Sequence, residues 1–345
     1  MVQDFTNPFK NYKQEDYLLI AAGGGSFNNI EMPDGKIVSA SEIKRDLGYP
    51  QLFAWNAEGK ALLEWVKYLK EHPESKCKLV VDSGAYSAWS KGKEFDMDEY
   101  IEFLNTNDVI EQSFWCAEAD VIPGKFGVDP TPEEVEAAPA KSWANYLYMI
   151  EKVKIPKKIV PIFHQGEDFK YLHQMLNYTF ADGDHIPYIG ISPRNDIHVN
   201  EKIKWYKEVW RIIKSSANPN VLTHNFGMTT ISLMEQFPSC SSDSTTWLRS
   251  ANFGNIILVV DGKLKTIIVT DRKLLDTKHI YNQPIAIREA VEDMCHRIGH
   301  GLTLKDLVED DEVGKRRRIF NLYSLNEWRI NFKYTGNDIF KTDLW

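Results

Sequence analysis

KLVVDSGAYS, residues 78 to 87, runs an apolar segment directly into Asp82, Ser83 and Gly84, with the aromatic Tyr86 two residues further on. A short apolar run closed by turn residues reads as a strand buried on both faces, the kind found in parallel sheets. The same grammar recurs along the chain. YLLIAA near 17 to 22, SFWCAEAD at 113 to 120, KIVPIFHQG at 158 to 166, YIGIS at 188 to 192, VLTHNFG at 221 to 227 and CSSDS at 240 to 244 complete seven strands. Between them lie stretches with apolar residues at helical spacing, such as ALLEWVKYLKEH, MDEYIEFLNTN, KSWANYLYMIEKV and EKIKWYKEVWRIIKSS. Strands alternating with helices predict an α/β fold with a parallel sheet. A chain of 345 residues accommodates a (β/α)8 TIM barrel of roughly 250 residues with additions, and it is read as a single domain over residues 1 to 345. The eighth strand is obscure. NIILVVDGKLKTIIVTD, 255 to 271, breaks the rhythm, because two strand-like runs flank Asp261-Gly262; it predicts a β-hairpin insertion. IREAVEDMCHRIGH and RRRIFNLYSLNEWRI predict C-terminal helices over about 285 to 335.

Composition narrows the function classes. With 43% apolar and 26% charged residues the chain is globular, and no apolar run approaches the ~20 residues of a membrane-spanning helix. The opening MVQDFTNPFK lacks the basic-then-apolar order of a secretory signal, so a cytoplasmic location is expected, or host cytoplasm for a phage-encoded chain. Cys77, Cys116, Cys240 and Cys295 are widely spaced and suggest neither disulfides nor a CxxC metal site. A net charge of -8 argues against indiscriminate nucleic-acid binding. Local basic runs remain at 91 to 93, 152 to 158 and 202 to 207, and most densely at Lys315, Arg316, Arg317 and Arg318. GGGSF, 23 to 27, matches neither GxGxxG nor a P-loop and reads as a flexible first βα loop.

Several strands end in a polar residue: Asp82, Asp120, Gln165, Ser192, Asn225 and Asp243. Each alone is a good turn residue. At the carboxyl ends of parallel barrel strands, however, all six would converge on one mouth.

In this order, VVDSGAYS, ADVIPG, FHQG, YIGIS, HNFG and SSDSTTWLR followed by a hairpin resemble the motifs of tRNA-guanine transglycosylases. Within that superfamily the chain is most similar to the compact phage and bacterial members that insert 7-deazaguanine bases into DNA. The resemblance covers most of residues 15 to 330 and is most specific at DSG, HQG and SDSTT. It implies a pentosyltransferase in which Asp243 is the nucleophile at C1′ and Asp82 the general acid/base. It further implies that Tyr86 stacks on the base, that Asp120, Gln165, Gly166 and the backbone at Gly190 read the purine edge, and that His224 stands where the tRNA enzymes have a second stacking residue. Arg249 and the cluster at 315 to 318 would then meet nucleic acid. The incoming base would be a 7-deazaguanine such as preQ0, no cofactor is implied, and a homodimer is left open.

The tRNA enzymes hold a structural zinc with three closely spaced cysteines and a later histidine. Here LLDTKHIYNQP has no cysteine, and Tyr323 stands near the histidine position. Cys295, His296 and His300 are the residual ligand types, with a packed helix as the plainer reading. Lack of the zinc module favours DNA over tRNA. The alternatives are a tRNA-guanine transglycosylase, a non-catalytic nucleic-acid-binding partner subunit, and a glycoside hydrolase with paired carboxylates.

Overall fold

A computed structural model of the chain describes residues 2–14, 16–23, 29–194, 196–228, 230–310 and 313–334. Its strands are β1 (Leu18–Ala21), β2 (Ile30–Glu31), β3 (Ile37–Val38), β4 (Gln51–Ala54), β5 (Leu79–Asp82), β6 (Ser113–Ala117) and β7 (Ile159–Val160). They continue with β8 (Ile162–His164), β9 (Tyr188–Ser192), β10 (Leu222–Asn225), β11 (Ser241–Ser244), β12 (Asn255–Val260) and β13 (Lys263–Ile268). One sheet has the order β4-β5-β6-β7 and another β1-β11-β10-β9-β8. The registered pairs from β5 to β7 and from β8 to β11 are parallel. The fold is therefore mixed α/β with parallel sheets. Among the described residues, no helix is long and apolar enough to cross a membrane.

Besides the short antiparallel pair β2 and β3, the sequence reading lacks β4, QLFA. It passes directly into helix Trp55–Glu71 with no turn residue between, which hides it inside an apparent helix. The segment at 158 to 166 is split at Pro161, which has no N–H for the ladder; its carbonyl instead accepts from Gly190 N–H (2.8 Å). The helices start where their caps dictate. Thr131 and Glu134 form a capping box with Pro132 at the first helical position, and Asp96 and Asp168 cap helices Met97–Asn105 and Phe169–Asn177.

The chain divides into two compact units. The first comprises Leu52–Asp243 with the N-terminal segment up to Leu18 and Tyr334. Its core holds Val80, Val81, Trp115, Cys116, Phe163, Tyr188 and Ile189, all essentially inaccessible to solvent. Two lysines of the 152 to 158 run belong to this architecture and not to a ligand surface. Lys157 bonds to Asp182 (2.5 Å) and Asp184 (2.6 Å), while Lys158 caps the carbonyls of Ile110, Glu111 and Ser113.

The second unit is Leu19–Gln51 with Ser244–Lys333. Here β12 and β13 form the expected hairpin, with Asp261 and Gly262 both at positive φ (52° and 74°) as a type I′ turn demands. Helix Lys315–Asn331 packs on it through Asn321, whose Oδ1 accepts from Ile257 N–H (2.7 Å) and whose Nδ2 donates to the Trp247 carbonyl (2.9 Å). Gly24 to Phe27 of the first βα loop lie outside the described residues.

Candidate active site

Asp82 is the last residue of β5, where three buried apolar residues end. Its Oδ1 accepts from Gly84 N–H (2.8 Å), the local turn bond expected of an Asp two residues before a Gly. Gly84 has φ 74°, and a Cβ there would come within 2.2 Å of Asn56 Oδ1, so glycine is required. Burial pushes the Asp82 carboxyl up to about 6 against the lowering bond from Gly84, and the charges of Asp120, Asp243 and Glu58 push the same way. Asp82 thus feels both other aspartates that the strand ends were expected to bring together.

Asp243 lies on β11 with its side chain 14% exposed. Its Oδ1 accepts from Gly227 N–H (2.6 Å) and faces His224 Nε2 (3.3 Å). The chain after β10 turns at Phe226 and Gly227, which aims this N–H at the carboxylate. Among the described residues, Oδ2 has no hydrogen-bond partner.

Asp120 follows β6 and pairs through Oδ2 with His164 Nε2 (3.3 Å), whose Nδ1 meets Glu167 Oε1 (3.0 Å). Burial alone would lower the His164 pKa, but bonds to Asp120 and Glu167 outweigh it and carry it up to about 10. An imidazolium therefore sits between two carboxylates through the neutral range. Glu118, wholly buried, accepts from Ile162 N–H (2.7 Å), and burial raises its carboxyl well above the ordinary range. Gln165 is partly buried; its N–H donates to the Ser192 carbonyl (2.9 Å), and its Oε1 accepts from Arg194 N–H (3.1 Å). Gly166, at φ 113°, continues this loop. Tyr86, 63% exposed, occupies the first turn of helix Ala85–Ser90 with its ring centroid 5.6 Å from that of Trp89.

Other expected site residues have different tasks. Gly190 N–H is spent on Pro161, and its neighbours in register are Ile162 and His224, so its own N–H is not available to a purine. Glycine is needed there because a Cβ would fall 2.5 Å from the Phe226 ring. His224 is fully buried, edge-on to Trp115 (4.6 Å) and Phe226 (4.4 Å), and offers no face for stacking. Asn225, also buried, faces the Tyr206 hydroxyl (3.3 Å).

In the second unit Arg249 is exposed on helix Thr246–Asn252, and Lys315 is exposed. Arg316 is partly covered, with Nε donating to the Glu31 carbonyl (3.2 Å). Arg317 and Arg318 are buried and reach no phosphate as folded. Arg317 donates to the carbonyls of Leu307 (2.7 Å) and Val308 (3.2 Å), groups that the end of helix Leu304–Val308 leaves without intrahelical partners; Arg318 donates to Asn252 Oδ1 (2.8 Å). Arg317→Ala should therefore cost about 2–4 kcal/mol in urea unfolding, against about 0.5 kcal/mol or less for Lys315→Ala. Equal effects would contradict this division of the cluster.

Of the residual metal-ligand types, Cys295 is buried, with its thiol pushed up to about 12 by burial, and His300 Nδ1 pairs with Asp34 Oδ2 (2.9 Å). Among the described residues, no group of three or more His, Cys, Asp or Glu is arranged to hold a metal ion.

The strand-end argument brings Asp82, Asp120 and Asp243 into one electrostatic neighbourhood but overlooks His164, Glu167 and Ser241. His164 was legible in FHQG, directly before the glutamine. No family model matches the chain, and no curated protein matches it.

Proposed function

We propose that the chain is a base-exchange transglycosylase that replaces guanine in DNA by a 7-deazaguanine such as preQ0 through a covalent aspartyl intermediate. The observation that carries this reading is the division between two aspartates: Asp82 is raised to about 6, while Asp243 is held at one oxygen by backbone and imidazole and has no described partner at the other. Two carboxyl groups in contrasting environments suit one acid/base and one nucleophile.

In the first half-reaction Asp243 Oδ2 forms a bond to C1′ as the C1′–N9 bond breaks, its electron pair leaving with guanine and a proton passing from Asp82 to the purine. In the second, the incoming base loses its N9 proton to Asp82, N9 bonds to C1′, and the ester bond to Oδ2 breaks. Two displacements retain configuration. Asp120, its orientation held by the His164 imidazolium, is available to accept the N1–H and exocyclic amine of guanine, with Gln165 beside it. Exposed Tyr86 offers a stacking face. The finer fold is part of the proposal: β1, β4, β5, β6, the interrupted β7/β8, β9, β10 and β11 would be the eight strands of one TIM barrel. In such a barrel the ends of β5, β6, β8 and β11 share a mouth.

The preference for DNA rests on the sequence, which lacks the zinc-cysteine cluster of the tRNA enzymes. A target base must leave its stack at a cost of a few kcal/mol, so single-stranded or mispaired guanine should react faster than paired guanine. The test is incorporation of labelled guanine or preQ0 into DNA and tRNA at equal guanine concentration. Labelling of DNA is expected; preferential labelling of tRNA would overturn the DNA assignment, and labelling of neither would overturn the activity.

A further inference from the structure

We infer that His224 is a positioning residue for Asp243: with its proton on Nε2 it donates to Oδ1, and together with Gly227 N–H it fixes the carboxylate so that Oδ2 is presented for attack, its tautomer being set by Ser241 and Tyr188. This rests on the reading of Asp243 as the nucleophile.

The arrangement follows from strand geometry. Ser241 and Asp243 are two residues apart on β11 and therefore share a face. In the parallel ladder His224 is in register with Ser241, and Gly190 with His224. The histidine thus reaches across to both β11 side chains. Gly190 presents no side chain in this layer, leaving space that the Phe226 ring occupies against the imidazole. Trp115 closes another side, and His224 has no exposure to solvent. An imidazole packed this way cannot rotate without displacing aromatic neighbours.

The hydrogen bonds select one tautomer. His224 Nδ1 lies 2.7 Å from Ser241 Oγ, which lies 2.7 Å from the Tyr188 hydroxyl; Nε2 lies 3.3 Å from Asp243 Oδ1. A proton on Nδ1 alone would set the Nε2 lone pair against a carboxylate oxygen. With the proton on Nε2, every contact has one donor and one acceptor: Tyr188 donates to Ser241, Ser241 to Nδ1, and Nε2 to Asp243. Burial also disfavours the doubly protonated ring, against the opposing pull of Asp243, and burial keeps the proton on the Tyr188 phenol. A wrongly protonated or displaced imidazole would let the carboxylate turn and give up the free oxygen.

The experiment uses the full chain labelled with 15N-histidine, with His224→Gln to assign the resonances. Long-range 1H–15N spectra at pH 7 should show His224 neutral and protonated at Nε2, with Ser241→Ala shifting the Nδ1 signal as its donor is lost. In exchange assays with guanine-containing single-stranded DNA, His224→Gln should lower kcat about 100-fold and Ser241→Ala about 10-fold, each with KM within about threefold. A wild-type His224 carrying its proton on Nδ1, or on both nitrogens, overturns the inference. So does an undiminished kcat in a folded His224→Gln. Should wild type exchange no base in any nucleic acid, the transglycosylase reading fails, whereas the tautomer spectrum still reports on His224 independently.

Discussion

Asp243→Ala should give a folded protein whose base exchange is reduced by about 10^4-fold or more, since the carboxylate assigned to capture C1′ is removed. Its stability should not be untouched. Removing the carboxylate strips the acceptor from Gly227 N–H and from the buried His224, which should cost about 1–3 kcal/mol. Asp243→Asn separates the two effects, because an amide oxygen can still accept from Gly227 while the side chain no longer serves as a carboxylate nucleophile. The expected result is near-native unfolding with equally low exchange. Substantial exchange by a folded Asp243→Asn would leave Asp243 with only the structural task of holding the Gly227 N–H from β11.

Asp82→Asn should lose turnover by about 10^2–10^4-fold yet keep its affinity for nucleic acid, because the amide accepts from Gly84 as before but cannot shuttle the purine proton. The same substitution should stabilise the fold at alkaline pH. The Asp82 carboxyl is raised from its ordinary 3.8 to about 6, so the stability associated with its protonated form is complete below pH 3.8 and is lost as pH rises through about 6. The variant has no such loss. It should exceed wild type by about 1–2 kcal/mol at pH 8, allowing for partial exposure, and show no advantage at pH 4. In wild type the base-release step should slow as pH rises through about 6, where the acid form is depleted. Paired denaturation curves and pH–rate profiles check both statements; parallel loss of binding and turnover would make Asp82 a binding residue.

Asp82 was legible in the sequence because a buried apolar run ends on it, and Asp243 because a lone carboxylate stands among the hydroxyl residues of SSDSTT; both changes of residue type are visible in one dimension. The roles of their neighbours were not. Nothing in HNFG says which strand face His224 occupies; that is decided by register with Ser241 across the sheet and by the space left at Gly190. Likewise KRRR reads as four equivalent charges, but the turns of helix Lys315–Asn331 bury Arg317 and Arg318 and leave Lys315 outside. β4 escaped because QLFA joins its helix without punctuation, whereas YIGIS, bounded by Pro187 and Pro193, was recovered to the residue. His164 was visible in FHQG but its significance was not, because that comes from the two carboxylates it bridges, Asp120 after β6 and Glu167 three residues further along its own loop.

The central claim is a covalent bond between Asp243 and a nucleotide sugar. Intact-mass measurement after mixing the protein with a guanine-containing oligodeoxynucleotide, followed by a denaturing quench and peptide mapping, tests it most directly. The expected product is an adduct with the mass of protein plus oligonucleotide minus guanine, located on the peptide that carries Asp243 and absent from Asp243→Asn. Base exchange without an adduct at Asp243, or an adduct mapped to another residue, would contradict the account.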